Sequence, residues 1–235
     1  MDDFSTAFSL AFNMIARLDP DLVEIVLLSL RVSLSALGIA ALIALPLGAA
    51  VALFRFPGSG VVTVLLNAMM GLPPVVVGLV VYLLISRSGP LGVLGLLFTP
   101  AAMIIAQTLL IAPIIAALTR QVILDLWDEY GELLRSLGVH RLRAIATLLW
   151  DGRFRVLTVV LAGFGRATAE VGAVMIVGGN INHVTRVMTT TIALETSKGN
   201  LILALGLGIV LLTLSLLING AIYVVGEWAA RRNAA

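Results

Sequence analysis

Five stretches of this chain are long and apolar enough to cross a lipid bilayer, and no other feature limits its fold so severely. They cover residues 32–54, 60–86, 91–118, 156–177 and 201–225, with lengths of 23, 27, 28, 22 and 25, or 125 of 235 residues. A helix needs about 20 apolar residues to span a hydrocarbon core of about 30 Å. Backbone polar groups in lipid must be satisfied internally, so only helices and closed barrels can span it. Barrel strands would alternate polar and apolar residues over about ten positions, a pattern the sequence lacks. The expected fold is all-α: a polytopic membrane protein of about five transmembrane helices, with residues 1–235 as a single transmembrane domain.

Composition excludes other classes. The chain is 60% hydrophobic and 12% charged, with a mean hydropathy of +1.10. Too few polar residues remain to cover a soluble globule, and the apolar content argues against disorder. The absence of cysteine rules out disulfides, thiolate catalysis and cysteine-ligated metals. His140 and His183 stand alone in the sequence, so no metal site is expected. No Ser-His-Asp grouping or paired carboxylate lies at span depth, so no catalytic residue is expected. The net charge of +2 contains no basic block for nucleic acid.

Lys and Arg in short loops set the orientation. An inside C-terminus puts Arg55, six arginines between Arg120 and Arg155, and Arg231 and Arg232 in the cytoplasm, nine in all. Four remain outside: Arg17, Arg87, Arg186 and Lys198. The expected topology is N-terminus out, C-terminus in, in a plasma (inner) membrane. Met1-Asp2-Asp3 is acidic where a signal peptide needs positive charge, so the first helix is expected to direct insertion. Residues 4–18, with Phe4, Phe8, Leu10, Phe12, Met14 and Ile15, read as a helix lying on the membrane or a short sixth span.

Prolines at 46, 73, 74, 100 and 113 interrupt or flank the spans. Each removes a backbone hydrogen bond and bends a helix. Pro73-Pro74 is the strongest break, either a packing kink or a bent helix lining a gate. Arg166 and Glu170 are an opposite-charge pair inside a span. At i and i+4 they would share a helix face, as a neutral structural lock or as a gate contact. Arg166 would keep Glu170 ionised, which argues against a proton carrier.

The segment between Arg120 and Arg155 carries 11 of the chain's 28 charged residues. Asp125, Asp128, Glu129 and Glu132 precede Arg135, Arg141, Arg143, Arg153 and Arg155. Apolar residues at 123, 126, 127, 130, 133, 134 and 137 recur at helical spacing. Gly138 fits the stop position of that helix, and Leu142, Ile145, Leu148 and Leu149 begin a second one. The expectation is a cytoplasmic elbow over residues 120–153, in which Trp127, Tyr130, Leu133 and Leu137 anchor a helix and its charged face is exposed.

Glu132-Leu133-Leu134-Arg135-Ser136-Leu137-Gly138 resembles the "EAA" loop of ABC importer permeases. Glu132 and Gly138 match in type and spacing, whereas Leu133 and Leu134 replace two alanines and Asp151 stands where a proline is usual. Gly165-Arg166-Ala167-Thr168-Ala169-Glu170-Val171-Gly172-Ala173, followed by Gly178-Gly179-Asn180-Ile181, is similar to the next segment of molybdate, tungstate and sulfate permeases. The wording is most like the tungstate type. The resemblance covers about residues 24–226 and implies the type I ABC importer permease fold. It implies a homodimer, cytoplasmic ATP-binding subunits holding ATP and Mg, and an extracytoplasmic substrate-binding protein. It also makes Asp128, Glu129, Glu132, Leu133, Leu134, Arg135, Gly138 and Arg141 the ATPase-coupling set. Pro73, Pro74, Arg166 and Glu170 become candidates for the gate, and Asn180, Asn182 and Arg186 for the outer mouth.

The chain has no P-loop, since its one lysine, Lys198, lacks the glycine-rich context. It is therefore expected to bind no cofactor and to take its energy from a partner. Too few donors lie in the spans for a dianion site, so ion choice is expected in the external partner. Five helices are too few to enclose an oxyanion path, which argues for two copies. The alternatives are a proton- or sodium-coupled anion carrier, against which the absence of an inverted repeat counts, and a membrane scaffold that transports nothing.

Overall fold

The structure, a computed structural model, describes residues 2–54 and 57–233. Ten α-helices follow one another: α1 (Asp2–Ala16), α2 (Pro20–Leu53), α3 (Ser59–Met70), α4 (Pro74–Ile85), α5 (Pro100–Ser136), α6 (Arg141–Asp151), α7 (Arg153–Thr168), α8 (Gly172–Gly178), α9 (Met188–Lys198) and α10 (Leu201–Asn233). A single 3₁₀ turn, Gly92–Leu94, is the only other regular element among the described residues. The all-α expectation holds, and so does the membrane character. Helices α2, α5 and α10 are each long and apolar enough to span, and the bent pairs α3–α4 and α7–α8 bring the total to five if each counts as one span.

Local chemistry sets the boundaries. The Asp19 carboxylate accepts from the backbone N–H groups of Asp21 and Leu22 at 3.1 and 3.3 Å, and Pro20 occupies the first helical position, where no N–H is needed. Helix α2 therefore starts well before the apolar run at residue 32. Helix α5 starts at Pro100, later than the apolar run at residue 91, because residues 91–99 form turns. It then runs unbroken past Arg120 to Ser136. The elbow's first helix is thus the end of a 37-residue span helix, not a separate element. Helix α1 has 15 residues, about 22 Å of helix, too short to cross a core of about 30 Å. Ala11 is fully buried, Met14 and Ile15 pack against core residues, and Phe12 is exposed. Arg55 and the side chains of Phe4, Arg231 and Arg232 lie outside the described residues.

The chain divides into two compact units. The first comprises residues 1–36, 73–107 and 167–218. Its core includes Leu22, Ile25, Met188 and Leu207. Helices α4 and α8 meet in it so closely that a Cβ on Gly78 would lie 2.7 Å from the Ala173 Cα. The second comprises residues 37–72, 108–166 and 219–235. Its core includes Ala49, Leu53, Ile123, Leu126, Leu134, Ala144 and Leu148. There α2 approaches α5 through Gly48, where a Cβ would lie 2.3 Å from the Ala116 carbonyl oxygen.

Candidate functional site

In the second unit, the end of α5 and all of α6 form an antiparallel helical hairpin. Near its tip Val139 packs against the cluster that holds Leu134. At its base, a Cβ on Gly152 would lie 2.6 Å from Leu126 Cδ1, so α6 returns along α5. The turn is made by Gly138 with a φ of 68°, which glycine adopts without strain. The Gly138 N–H donates to the Arg135 carbonyl at 3.0 Å and the Val139 N–H to the Leu134 carbonyl at 2.9 Å. This is the Schellman arrangement, which satisfies two of the last carbonyls of the helix. Sequence spacing placed the stop correctly.

The exposed face of the tip differs from the expected one. Leu133 and Leu137 are 57% and 68% exposed, so they do not anchor the helix. The anchors are Leu126 and Leu134, with Trp127 and Tyr130 partly buried beside them. The periodicity misled because positions 130, 133, 134 and 137 wrap around more than one face, and only the stripe facing α6 is covered. Asp128, Glu129, Glu132, Arg135 and Arg141 are exposed. The tip therefore presents two leucines among mixed charges, an arrangement suited to a protein partner with a polar rim and an apolar centre. Along the hairpin, the Arg135 guanidinium lies 5.6 Å from the Trp127 ring centre. Glu129, hydrogen-bonded to the Tyr130 hydroxyl, holds that phenol above its ordinary 10.0.

In the first unit, Pro73 and Pro74 start α4. Pro73 is the N-cap and Pro74 the first helical residue. The gate candidates Arg166 and Glu170 do not share a helix face, because α7 stops at Thr168 and Glu170 lies in the break before α8. That corrects the i, i+4 expectation. The break has a local cause: the Glu170 carboxylate accepts from the Ala173 N–H at 3.1 Å. A side chain that bonds the backbone in this way competes with helix continuation. The Thr189 hydroxyl donates to the Glu170 carbonyl at 2.7 Å.

Around the buried Glu170 side chain lies a small crevice lined by Ser29, Ser33, Gln107, Thr168 and Thr189, with room for about one water molecule. Gln107, a residue given no role by the sequence, donates from Nε2 to the Ala167 carbonyl at 3.1 Å. Its Oε1 is buried without a hydrogen-bond partner. Its signal in the sequence was a polar amide set inside a long apolar run. Ser29 was also missed: it accepts from the Met188 N–H at 2.8 Å and donates to the Ile25 carbonyl at 2.7 Å. An amide oxygen and a carboxylate line this crevice, and it is too small for a tetrahedral dianion.

The outer-mouth candidates separate. Asn180 is a clamp: its Oδ1 accepts from the Thr190 hydroxyl at 2.9 Å, and its Nδ2 donates to the Thr190 carbonyl at 3.3 Å. Asn182 and Arg186 line one groove together with Asp21, Glu24 and His183. His183 Nδ1 lies 2.8 Å from Glu24 Oε2, and Arg186 Nε is buried without a hydrogen-bond partner. The described residues contain no cluster of three or more histidines and carboxylates that would hold a metal.

No protein-family model matches the chain. It is 40% identical to the tungstate uptake system permease protein TupB of Peptoclostridium acidaminophilum over 227 residues, 97% of this chain and 100% of that protein. It is 39% identical to TupB of Campylobacter jejuni over 166 residues, 71% of this chain and 70% of that one. It is 29% identical to the sulfate transport system permease protein CysW of Escherichia coli, over 69% of this chain and 58% of that one. With the hairpin and bent spans in place and a relative 40% identical over 97% of its length, the chain belongs to the oxyanion permeases of the ABC transporters, in the tungstate-type group.

Proposed function

We propose that this chain is the membrane subunit that carries tungstate into the cytoplasm, in a complex driven by a separate ATP-binding subunit. The uptake role and the ion are those in the names of its relatives at 40% and 39% identity. The observation that carries the reading is the hairpin tip, where Gly138 turns the chain and Glu132, Leu133 and Leu137 stand exposed. An unpartnered face of two leucines within a charged rim fits a cytoplasmic partner. Two copies of the chain would enclose the path, and an extracytoplasmic binding protein would choose the ion and deliver it to the mouth around Asn182 and Arg186. The orientation is N-terminus out and C-terminus in. ATP and Mg would be held by the partner, whose closure would pull two tips together and open the path outward.

A pull-down of the tagged chain from solubilised native membranes tests this. Recovery of a P-loop ATPase is expected, together with its loss on Glu132→Lys, a change at an exposed position that leaves the fold intact. Tungstate uptake by vesicles without ATP, abolished by an uncoupler, would instead establish the coupled carrier.

A further inference from the structure

At the base of the hairpin, α6 ends at Asp151 and α7 begins at Arg153. The apolar run of the span starts at residue 156, which puts this corner at the level of lipid headgroups. Two aromatic rings hold one arginine there. The Arg153 guanidinium carbon lies 5.3 Å from the Trp150 ring centre and 4.8 Å from the Phe154 ring centre. Its Nη1 donates to the Trp150 carbonyl at 2.9 Å. A guanidinium has five donors, so this one is positioned by stacking and a single bond while the rest of its fork faces outward. Trp150 is 73% exposed, a large apolar surface that neither core cluster covers.

We infer that the α6–α7 corner binds the phosphate of an acidic membrane phospholipid, with Arg153 as the phosphate ligand and Trp150 inserted at the headgroup boundary. Interfacial tryptophan and a bidentate arginine are the groups that suit this chemistry. Arg143, seven residues before Trp150 and thus on the same side of α6, adds positive charge. Arg155 is not the ligand, since it lines a groove with Glu129, Asp151 and Tyr130, where carboxylates answer its charge. The choice of an acidic lipid rests on the proposed cytoplasmic placement of this corner. Its test is independent of the ATPase, because the ATPase is captured at the hairpin tip and the lipid at the base.

Arg135 is a control within the chain. It also stacks on a tryptophan and donates to a backbone carbonyl, but it lies on the hairpin away from the span. Native mass spectrometry of the purified full chain should show retained acidic phospholipid falling about five-fold in Arg153→Ala and unchanged in Arg135→Ala. Equal retention in both variants would overturn the site. In a second measurement, Trp127 and Trp228 are replaced by Phe, and the emission of Trp150 is followed in vesicles of brominated lipid. Quenching stronger for bromine near the headgroup than near the chain ends is expected. Absence of quenching, or its removal by the ATPase, would give this face to water or to the partner instead.

Discussion

The side-chain nitrogen of Gln107 on α5 donates to the carbonyl of Ala167 in the last turn of α7, at 3.1 Å, in the interior of the first unit. The last carbonyls of a helix have no partner within it, and in a dry interior one left unpaired costs about 1–3 kcal/mol. Gln107→Leu should therefore lower the thermal unfolding temperature of the purified chain, by the equivalent of about 1 kcal/mol. The lower end of the range applies because the substitution also removes the unpartnered Oε1. Gln107→Glu should be worse, since it keeps an acceptor, loses the donor and adds a second carboxyl beside Glu170. A leucine variant less stable than the glutamate variant would contradict this account.

Two glycines separate packing from propensity. A Cβ on Gly78 would lie 2.7 Å from the Ala173 Cα and 3.1 Å from its carbonyl oxygen, backbone atoms that cannot turn aside. Gly38 has nothing within 4 Å of the same position. Gly78→Ala should destabilise by about 1–3 kcal/mol by pushing α4 from α8. Gly38→Ala should be neutral or stabilising by up to about 1 kcal/mol, the helix propensity difference. Chemical denaturation of the two variants side by side decides it.

The parts of the fold legible in the sequence were those that one chain segment controls. Apolar run length announced the helices, and a glycine after a helical pattern announced the turn at Gly138. What stayed hidden depended on partners distant in sequence. That Leu133 faces outward while Leu134 faces inward is settled by where α6 returns, not by spacing. Gln107 acquires its role only because α7 ends beside it. Arg166 and Glu170 looked like neighbours on one helix face because four residues separate them, yet the helix ends between them.

A buried carboxylate in the first unit makes stability depend on pH. Glu195 accepts from Lys198 Nζ at 3.1 Å and from Asn200 Nδ2 at 3.0 Å. Its pKa is lowered from 4.5, first by the Lys198 hydrogen bond, against the opposing effect of burial. A carboxyl whose folded pKa lies below its unfolded value stabilises above the unfolded pKa, and the gain is lost as pH falls through the folded one. Glu195→Gln should be less stable than the parent at neutral pH, by about 1 kcal/mol. The difference should shrink as pH drops below 4.5. A difference that is constant with pH would mean that the charge of Glu195 plays no part.

Under the proposed function, the turn at Gly138 would link local geometry to coupling. Its φ of 68° lies in the left-handed region, which asparagine tolerates and β-branched residues resist. A valine there costs about 1–3 kcal/mol, and the strain is relieved by shifting the tip rather than by unfolding the span, because the core around Leu126, Ala144 and Leu148 is unaffected. Gly138→Asn should therefore keep most tungstate uptake in whole cells. Gly138→Val should lose at least about ten-fold, with unchanged amounts of the chain in the membrane. ATP hydrolysis by the assembled complex is the second readout: the valine variant should no longer respond to the external binding protein, while the asparagine variant should. Equal uptake by both variants would mean that the tip's position does not transmit the ATPase stroke, and coupling would have to run through another surface of the second unit.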